Sequence, residues 1–365
     1  MSKRQTKIRV SGIVLKFLRE SSGFTIDEIA KKLNMTPQKI KQIEEEKDLF
    51  TLSQIKNLAE IYQRPLAAFF SEKPPTPPKA LPDFRINREK RLSPQVILAQ
   101  RRAYYLLDKI AELANKKSQI PSYPNNITPE QLARELKKYL NIKQAKSMKS
   151  EQILTYYKEC IEEKLKILII EYPFKADDVR AFSISRDLSI IVLNEEDIAQ
   201  IKLFSLFHEL CHLLKKQSGI CSIEIEQSNQ PHIESYCNRF AAEFLVPAND
   251  FLEEIRRRKI TSFDWETVSE LANIYGVSKQ VIMLRALWLN IITLKQYEEY
   301  KRSIEGKEIR KKEFGRRNWD RLFFNRAGNL VIKEISNAYK KGDISFFEAI
   351  EVLNMKSKYV EKFIS

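Results

Sequence analysis

The chain has 365 residues, which is the length of two or three ordinary domains. Hydrophobic residues make up 43% of the sequence, enough for packed cores, so a disordered chain is excluded. The count of only 8 glycines argues against turn-rich all-β folds and glycine-looped nucleotide sites. The net charge of +15 fits a polyanionic partner and a Lys-rich proteome equally well.

The N-terminus and the cysteine count bear on the compartment. Residues 1–12 are basic and lack the apolar run of a signal peptide, and no segment reaches the roughly 20 apolar residues of a membrane helix. The 4 cysteines are too few for a disulfide scaffold of this size. We therefore expect a cytoplasmic protein that does not act at a membrane.

Residues 1–70 show apolar residues at helical spacing, which predicts a compact all-helical domain. Thr25, with Glu28 three residues later, predicts a capping box at the start of the second helix. Thr36 precedes a proline and predicts the start of the third helix, which runs to about Glu44. Prolines then cluster in residues 71–94, which predicts a stiff linker and a domain boundary.

Residues 95–250 mix the two kinds of secondary structure. Three buried strands are predicted at 166–172, 180–184 and 189–194. They indicate an α+β fold that is mainly α, with a small three-stranded sheet. The helices of this region are predicted at about 95–115, 128–141, 147–163, 199–216 and 232–245.

Residues 251–365 are predicted to be helical. Within them, residues 268–289 repeat the rhythm of a helix-turn-helix, and packing inside the protein is a better interpretation of this segment than DNA contact. The basic stretch 301–321 is interpreted as a solvated face, with nonspecific DNA affinity as the alternative.

Residues 207–212 contain an HExxH pattern, the signature of zincin metalloproteases. We therefore expect the small three-stranded sheet to belong to a zincin-like metalloprotease core. Four residues of a helix advance about 400°, so His208 and His212 project from one face, one turn apart. Two imidazoles in this arrangement bind one tetrahedral Zn²⁺, and Glu209 beside them is placed to take a proton from a metal-bound water. The chain has only 3 histidines, and two of them lie in this motif. The apolar neighbours predict a buried helix, where unpartnered histidines would be costly, so we predict one zinc ion per chain.

A third protein ligand is needed, and it leaves a fourth position for water, as a catalytic zinc requires. The metzincin class is excluded, because Lys215 and Ser218 stand where that class has Gly and His. A glutamate from a later segment is the alternative, and Glu234 is preferred because it opens a helix whose apolar side can pack on the motif helix. The candidates are Glu224, Glu226, Glu234 and Glu243.

Other polar residues lie near the predicted site. Asn238, one turn after Glu234, is a candidate to hydrogen-bond a zinc ligand. His232, Tyr236 and Arg239 are candidates for the same role or for an oxyanion donor. Three cysteines near the motif are interpreted as small buried hydrophobic residues, in preference to zinc ligands or redox switches. They are Cys211, Cys221 and Cys237.

Four segments, 180–184, 189–194, 204–214 and 234–247, together resemble the ImmA/IrrE family of zinc metallo-endopeptidases. The N-terminal helices resemble an XRE-type (lambda-repressor-like) helix-turn-helix domain, an arrangement common in that family. The resemblance extends over most of the chain, and the ordered set of segments is far more specific than an HExxH pattern alone.

The resemblance implies a function and a ligand set. Members of the family cleave regulatory proteins, typically helix-turn-helix repressors, and thereby derepress stress-response or mobile-element genes. The family's two histidine ligands and one glutamate ligand map to His208, His212 and Glu234, and its catalytic glutamate maps to Glu209.

A lambda-repressor-like domain places its third helix in the major groove of double-stranded DNA. In the acidic run 44–46, Glu44 resembles a structural position of that family at the end of the helix, whereas Glu45 and Glu46 would repel phosphates if they faced them. DNA binding is the preferred interpretation, and a protein-docking domain is the alternative. The candidate DNA-contacting residues are Thr36, Gln38, Lys39, Lys41 and Gln42.

Two functions remain open at this point. The first is a zinc endopeptidase that cleaves a regulatory protein and carries a DNA-binding domain. The second is a DNA-binding transcriptional regulator whose zinc site is sensory or structural. The sequence does not identify the substrate, the DNA site or the oligomeric state.

Overall fold

The structure is a computed structural model, and it divides into two compact units. The smaller unit comprises residues 1–80, 89–102 and 174–176, and the larger unit comprises the rest of the chain. None of the helices in the described part of the chain is long and apolar enough to cross a membrane. The residues that the structure describes are 7–74, 92–174, 179–216, 219–221, 231–304 and 318–364.

The smaller unit is helical, as predicted for residues 1–70. Two two-residue strands, β1 (Lys7–Ile8) and β2 (Phe50–Thr51), pair antiparallel. Its core contains apolar side chains from every helix, including Val14, Ile29 and Ile40. The four helices are α1 (Gly12–Ser21), α2 (Ile26–Leu33), α3 (Pro37–Glu44) and α4 (Leu52–Tyr62).

The predicted helix starts are confirmed by their caps. The Thr25 side chain accepts a hydrogen bond from the Glu28 N–H, and the Glu28 carboxylate accepts one from the Thr25 N–H, which completes the capping box. The Thr36 side chain accepts a hydrogen bond from the Lys39 N–H, and Pro37 is the first residue of α3. Local sequence therefore determines where these helices begin.

Two carboxylates of the acidic run have partners within the smaller unit, although Glu46 is itself exposed. Glu44 forms a two-pronged ion pair with the buried Arg19, at 2.7 Å to Nε and 2.9 Å to Nη2. Glu46 accepts a hydrogen bond from the Gly12 N–H at 2.9 Å. A Cβ on Gly12 would lie 2.1 Å from the Glu44 carbonyl oxygen, so this position requires glycine. Glu45 stays exposed and pairs with Lys47.

Helix α5 (Pro94–Ala114) confirms the helix predicted at 95–115. The part of it within the smaller unit is anchored there by Arg101, which donates hydrogen bonds to the Tyr62 carbonyl at 2.7 Å and the Ser21 carbonyl at 2.9 Å. The smaller unit therefore includes part of α5 in addition to the domain predicted at residues 1–70.

A sheet forms the centre of the larger unit. The predicted strands are confirmed as β3 (Leu168–Tyr172), β4 (Ala181–Ile184) and β5 (Ile190–Asn194). A short fourth strand, β6 (Gly219–Cys221), was not predicted, because three residues carry no recognisable strand pattern. The strand order is β3-β5-β4-β6, with β3 parallel to β5 and β4 antiparallel to both of its neighbours.

Four further helices confirm the remaining predictions for residues 95–250. Helix α8 contacts β4 and β5 on one side and packs against α7 and α9, while α9 also packs against α6. Their buried side chains belong to one core cluster that runs from Leu132 to Ile292. The four are α6 (Pro129–Leu140), α7 (Ser150–Leu165), α8 (Ala199–Leu214) and α9 (Pro231–Leu245).

The core continues past residue 250 into α10 (Ala248–Arg258), α11 (Trp265–Tyr275) and α12 (Lys279–Trp288). Helices α11 and α12 are joined by a tight turn at Gly276, whose φ is +66°. The six successive residues 281–286 of α12 are all buried, so this helix has no long free face to offer to DNA. The burial agrees with the interpretation of 268–289 as packing.

The last helices confirm the helical prediction for the described part of residues 251–365. Helices α14 and α15 contact β3, and Arg326 forms an ion pair with Glu195. The five helices are α13 (Leu294–Ile304), α14 (Trp319–Ala327), α15 (Asn329–Lys341), α16 (Phe346–Leu353) and α17 (Ser357–Ile364).

Some predictions fall outside the described residues. They are residues 75–91 of the predicted linker, residues 305–317 of the basic stretch, the ligand candidates Glu224 and Glu226, and the side chain of Cys221.

Candidate functional site

Helix α8 carries the HExxH motif through the core of the larger unit. Every residue from Leu203 to Leu214 is buried, because the helix lies between the sheet and two neighbouring helices. Such a helix is apolar nearly all round, and its few polar side chains need partners inside the protein. His208 is 4% exposed and His212 is 1% exposed.

Glu234 lies in the first turn of α9, which packs against α8, and is also buried. Its Oε2 atom lies 3.1 Å from Nε2 of His208, and its Oε1 atom lies 3.4 Å from Nε2 of His212. The two Nε2 atoms are 3.2 Å apart. The structure thus brings together the three residues that the sequence singled out as metal ligands.

This spacing fits a shared metal ion. Ligand atoms about 2.0–2.1 Å from a tetrahedral zinc ion lie about 3.3 Å from one another, close to the observed separations. Both oxygens of Glu234 are buried, yet they accept no hydrogen bond of ordinary geometry from the described residues. Buried polar atoms without such partners are rare, and a metal ion satisfies them. His208, His212 and Glu234 therefore form a possible metal site.

Asn238 lies one turn after Glu234 and supports this geometry. Its Oδ1 atom lies 2.9 Å from Nδ1 of His208. An amide oxygen only accepts hydrogen bonds, so Nδ1 of His208 carries the proton and donates it. The lone pair of the ring then belongs to Nε2, the atom that faces Glu234 and His212.

Glu209 directly follows His208 in α8, and its side chain is almost fully buried. Its Oε2 atom accepts a hydrogen bond of 2.8 Å from the Ser183 hydroxyl on β4. Burial raises the pKa of Glu209 to about 7, against the lowering effects of His212 and the Ser183 hydrogen bond. A carboxylate with a pKa near 7 is suited to exchange protons at neutral pH.

Glu234 shows the opposite shift. Burial alone would raise its pKa, but the adjacent rings of His208 and His212 lower it below its ordinary range. The two carboxylates of the site therefore differ in charge behaviour. Glu234 is held as an anion, as a metal ligand must be, while Glu209 can take up and release a proton.

Three other sequence candidates have their own surroundings. Tyr236 donates its hydroxyl hydrogen to the Ile127 carbonyl at 2.7 Å. Arg239 is exposed and pairs with Glu130 at 3.0 Å. His232 is exposed at the start of α9. No contact among the described residues joins these three side chains to the cluster, and their assignment as oxyanion donors stays a prediction.

Glu243, a ligand candidate from the sequence, lies at the other end of α9 from Glu234 and has a different partner. It forms a buried ion pair with Arg285 of α12, whose Nε also donates to the Val246 carbonyl at 2.8 Å. The Ala248 N–H donates to the Glu243 carboxylate at 3.3 Å. Glu243 thus fastens the C-terminal end of α9 to α12.

Cys211 and Cys237 are fully buried. The cluster of ligand atoms found within the described residues contains neither of them. Their environment agrees with the interpretation as small hydrophobic residues, since both lie in the main apolar core.

In the smaller unit, α3 presents a polar surface to solvent. The predicted DNA-contacting residues are all exposed, whereas Ile40 and Ile43 on the opposite face are buried. Because Glu44 and Glu46 are engaged with Arg19 and the α1 N-terminus, the acidic run opposes phosphate contact less than the sequence suggested. The exposed candidates are Thr36, Gln38, Lys39, Lys41 and Gln42.

Sequence reasoning missed Ser183 and the Arg285–Glu243 pair. Ser183 lies in a strand of otherwise apolar residues, and a polar residue in a fully buried strand is a usable signal of a specific partner. Which partner it has is a tertiary question, because Glu209 is 26 residues away in the chain.

Two family models match parts of the chain. Residues 162–287 match the peptidase M78 family, described as an IrrE N-terminal-like domain, and residues 15–69 match a helix-turn-helix family. The chain contains a helix-turn-helix domain followed by an IrrE N-terminal-like domain. The predicted resemblance is thereby confirmed, in the predicted order. The matched residues 162–287 include β3 to β5, the three candidate metal ligands and most of α12.

Whole-protein comparisons add little to these matches. No curated protein matches the chain. Among solved structures, a Mycobacterium tuberculosis transcriptional regulator aligns with 11% identity and a TM-score of 0.33. That alignment covers 51% of this chain and 50% of the other.

Proposed function

We propose that the chain is a zinc-dependent endopeptidase that cleaves a regulatory protein and carries a DNA-binding N-terminal domain. The observation that carries this proposal is the convergence of His208, His212 and Glu234 beside the buried carboxylate of Glu209. The IrrE N-terminal-like match over the same residues supports it.

His208, His212 and Glu234 would hold the zinc ion, and their two neutral nitrogens and one carboxylate suit its ligand preference. When bound, zinc supplies Lewis-acid activation of water and of the substrate carbonyl. Asn238 keeps Nε2 of His208 free of a proton, and Glu234 contributes a negative charge that offsets part of the charge of the ion.

Glu209 acts as the general base and then as the general acid. Its carboxylate accepts a proton from the attacking water and returns it to the nitrogen of the departing amine. The pKa of about 7 suits both transfers, because neither protonation state is strongly disfavoured at neutral pH. Its burial keeps bulk water away from this exchange.

The proposed substrate is a helix-turn-helix repressor, whose cleavage would derepress stress-response or mobile-element genes. The combination of a helix-turn-helix domain and an IrrE N-terminal-like domain supports this choice, as does the resemblance to the ImmA/IrrE family. A DNA-binding domain on the same chain would also bring the enzyme to DNA, where such repressors act.

The test uses purified wild type and the Glu209→Gln variant, each loaded with zinc and incubated with the repressor encoded beside its gene. We expect one zinc per chain in both proteins and cleavage only by the wild type, with a loss of about 10³-fold or more in the variant. Full cleavage by Glu209→Gln would exclude the mechanism, and absence of zinc from both proteins would exclude the metal site.

A second candidate is a DNA-binding transcriptional regulator whose zinc site senses or stabilises. The exposed polar face of α3, with Lys39 and Lys41, favours double-stranded DNA as a partner in either case. The two functions separate in cells that lack the gene. Restoration of normal regulation by Glu209→Gln supports the second candidate, and failure to restore it supports proteolysis.

A further inference from the structure

Ser183 is a polar residue in β4, a strand whose four residues are all buried. It lies in β4, between β5 and β6, and pairs in register with Ile191 and Gly219. Its side chain has no exposed surface. A buried hydroxyl is costly unless it is hydrogen-bonded, so its partner is informative about its role.

The partner of Ser183 is Glu209. The Ser183 hydroxyl donates a hydrogen bond of 2.8 Å to Oε2 of the Glu209 carboxylate. No other hydrogen bond to this carboxylate comes from the described residues. The bond joins β4 to α8, two elements that pack directly against each other. A hydrogen bond on one oxygen limits rotation of the carboxylate group and leaves the second oxygen available.

Strand β4 is a rigid support for this contact. Strands on both sides hold its backbone, and side chains alternate along it, so Ala181 and Ser183 share a face while Phe182 lies on the other. A site whose reacting group is held by a residue on a fixed strand is better pre-organised than one that relies on side-chain rotamers alone.

We propose that Ser183 is a positioning residue for the general base, which holds Glu209 through Oε2 and directs its other oxygen to the reacting water. The inference rests on the proposed function, because it assigns Glu209 the role of base. It goes beyond that function by naming a strand residue on which the rate of proton transfer depends.

The test compares Ser183→Ala with Ser183→Thr, which keeps the hydroxyl and suits a strand. The matched control is Ser205→Ala, which removes another buried hydroxyl from α8, one without a hydrogen-bond partner within the described residues. Each protein is analysed for zinc content, for affinity to acetohydroxamate, and for kcat and KM with the neighbouring repressor. A hydroxamate binds zinc and donates its hydroxyl to a correctly placed carboxylate, so it reports on Glu209 without turnover.

We expect zinc content to be equal in all variants. Ser183→Ala should bind acetohydroxamate about tenfold more weakly and lose about 10- to 100-fold in kcat at unchanged KM, while Ser183→Thr and Ser205→Ala stay near wild type. Wild-type kcat and hydroxamate affinity in zinc-loaded Ser183→Ala would overturn the inference. A wild type that binds neither zinc nor acetohydroxamate overturns the proposed function instead.

Discussion

Helix α8 is buried along its whole second half, whereas α3 exposes the side chains that were singled out for DNA contact. On α8 and α9, three candidate ligands converge on one point, and a shared metal ion would make each depend on the others. On α3, the polar side chains are exposed, and Lys39 and Lys41 contact Asp48 and Glu45 rather than one another. We therefore expect large, coupled effects of substitution at the candidate metal site and smaller, additive effects on α3.

The largest effect is expected at a metal ligand. His208→Ala should abolish stoichiometric zinc binding, because two remaining ligands do not retain the ion. Asn238→Ala should weaken zinc affinity about 10- to 100-fold, since it only orients His208. Metal analysis and competition with a chromophoric chelator measure both. His232→Ala, at an exposed position, is the control, and full zinc occupancy in His208→Ala would contradict the ligand assignment.

The next largest effect is expected in the free energy of unfolding, at the contact between α9 and α12. Arg285→Met should destabilise the fold by about 3 kcal/mol, because it removes the nearest cation from the buried Glu243 carboxylate and leaves it with the longer ion pair, at 3.6 Å, to the exposed Arg134. Urea unfolding measures the change. Arg257→Met removes an exposed arginine and should cost less than about 0.5 kcal/mol. Equal stabilities for the two variants would show that the buried pair does not hold α9.

Burial also predicts a pH effect at Glu162, away from both sites. Burial raises its pKa from 4.5 to about 7, against the opposing charge of Lys158. Its folded-state pKa thus exceeds its unfolded value, so stability is greatest below about pH 4.5 and is lost as the pH rises towards 7.

Glu162→Gln removes this loss. We expect the variant to be more stable than wild type at pH 8, by about 1–3 kcal/mol, with the difference shrinking at pH 5. Thermal unfolding at several pH values measures it. The matched control is Glu159→Gln, on the exposed side of the same helix. A difference that grows on acidification would contradict the assignment.

The smallest effect is expected on α3. Lys41→Ala should reduce affinity for a double-stranded oligonucleotide from the gene's own promoter about tenfold or less. It should also reduce the slope of log affinity against log salt concentration by about one, because one phosphate contact is lost. Fluorescence anisotropy at several salt concentrations measures both. Lys56→Ala, at an exposed position on α4, is the control. Equal salt slopes for wild type and Lys41→Ala would remove α3 from the DNA interface and favour protein docking.

Much of the smaller unit was predictable because its signals are local. The caps at Thr25 and Thr36 and the apolar spacing located its helices within a residue or two. The partner of the Glu44 carboxylate was not predictable from local sequence, because that partner is Arg19, 25 residues earlier in the chain.

In the larger unit, the sequence by itself determined the pair His208 and His212 and the adjacent Glu209. Helical periodicity places the two histidines on one face of a helix, whatever the rest of the fold does. It also narrowed the third ligand to a few glutamates. Only the tertiary structure brought Glu234 within 3.4 Å of both histidines, turned Glu243 towards Arg285 and set Ser183 against Glu209. These contacts join residues far apart in the chain, and they arise from how α8, α9, α12 and β4 pack.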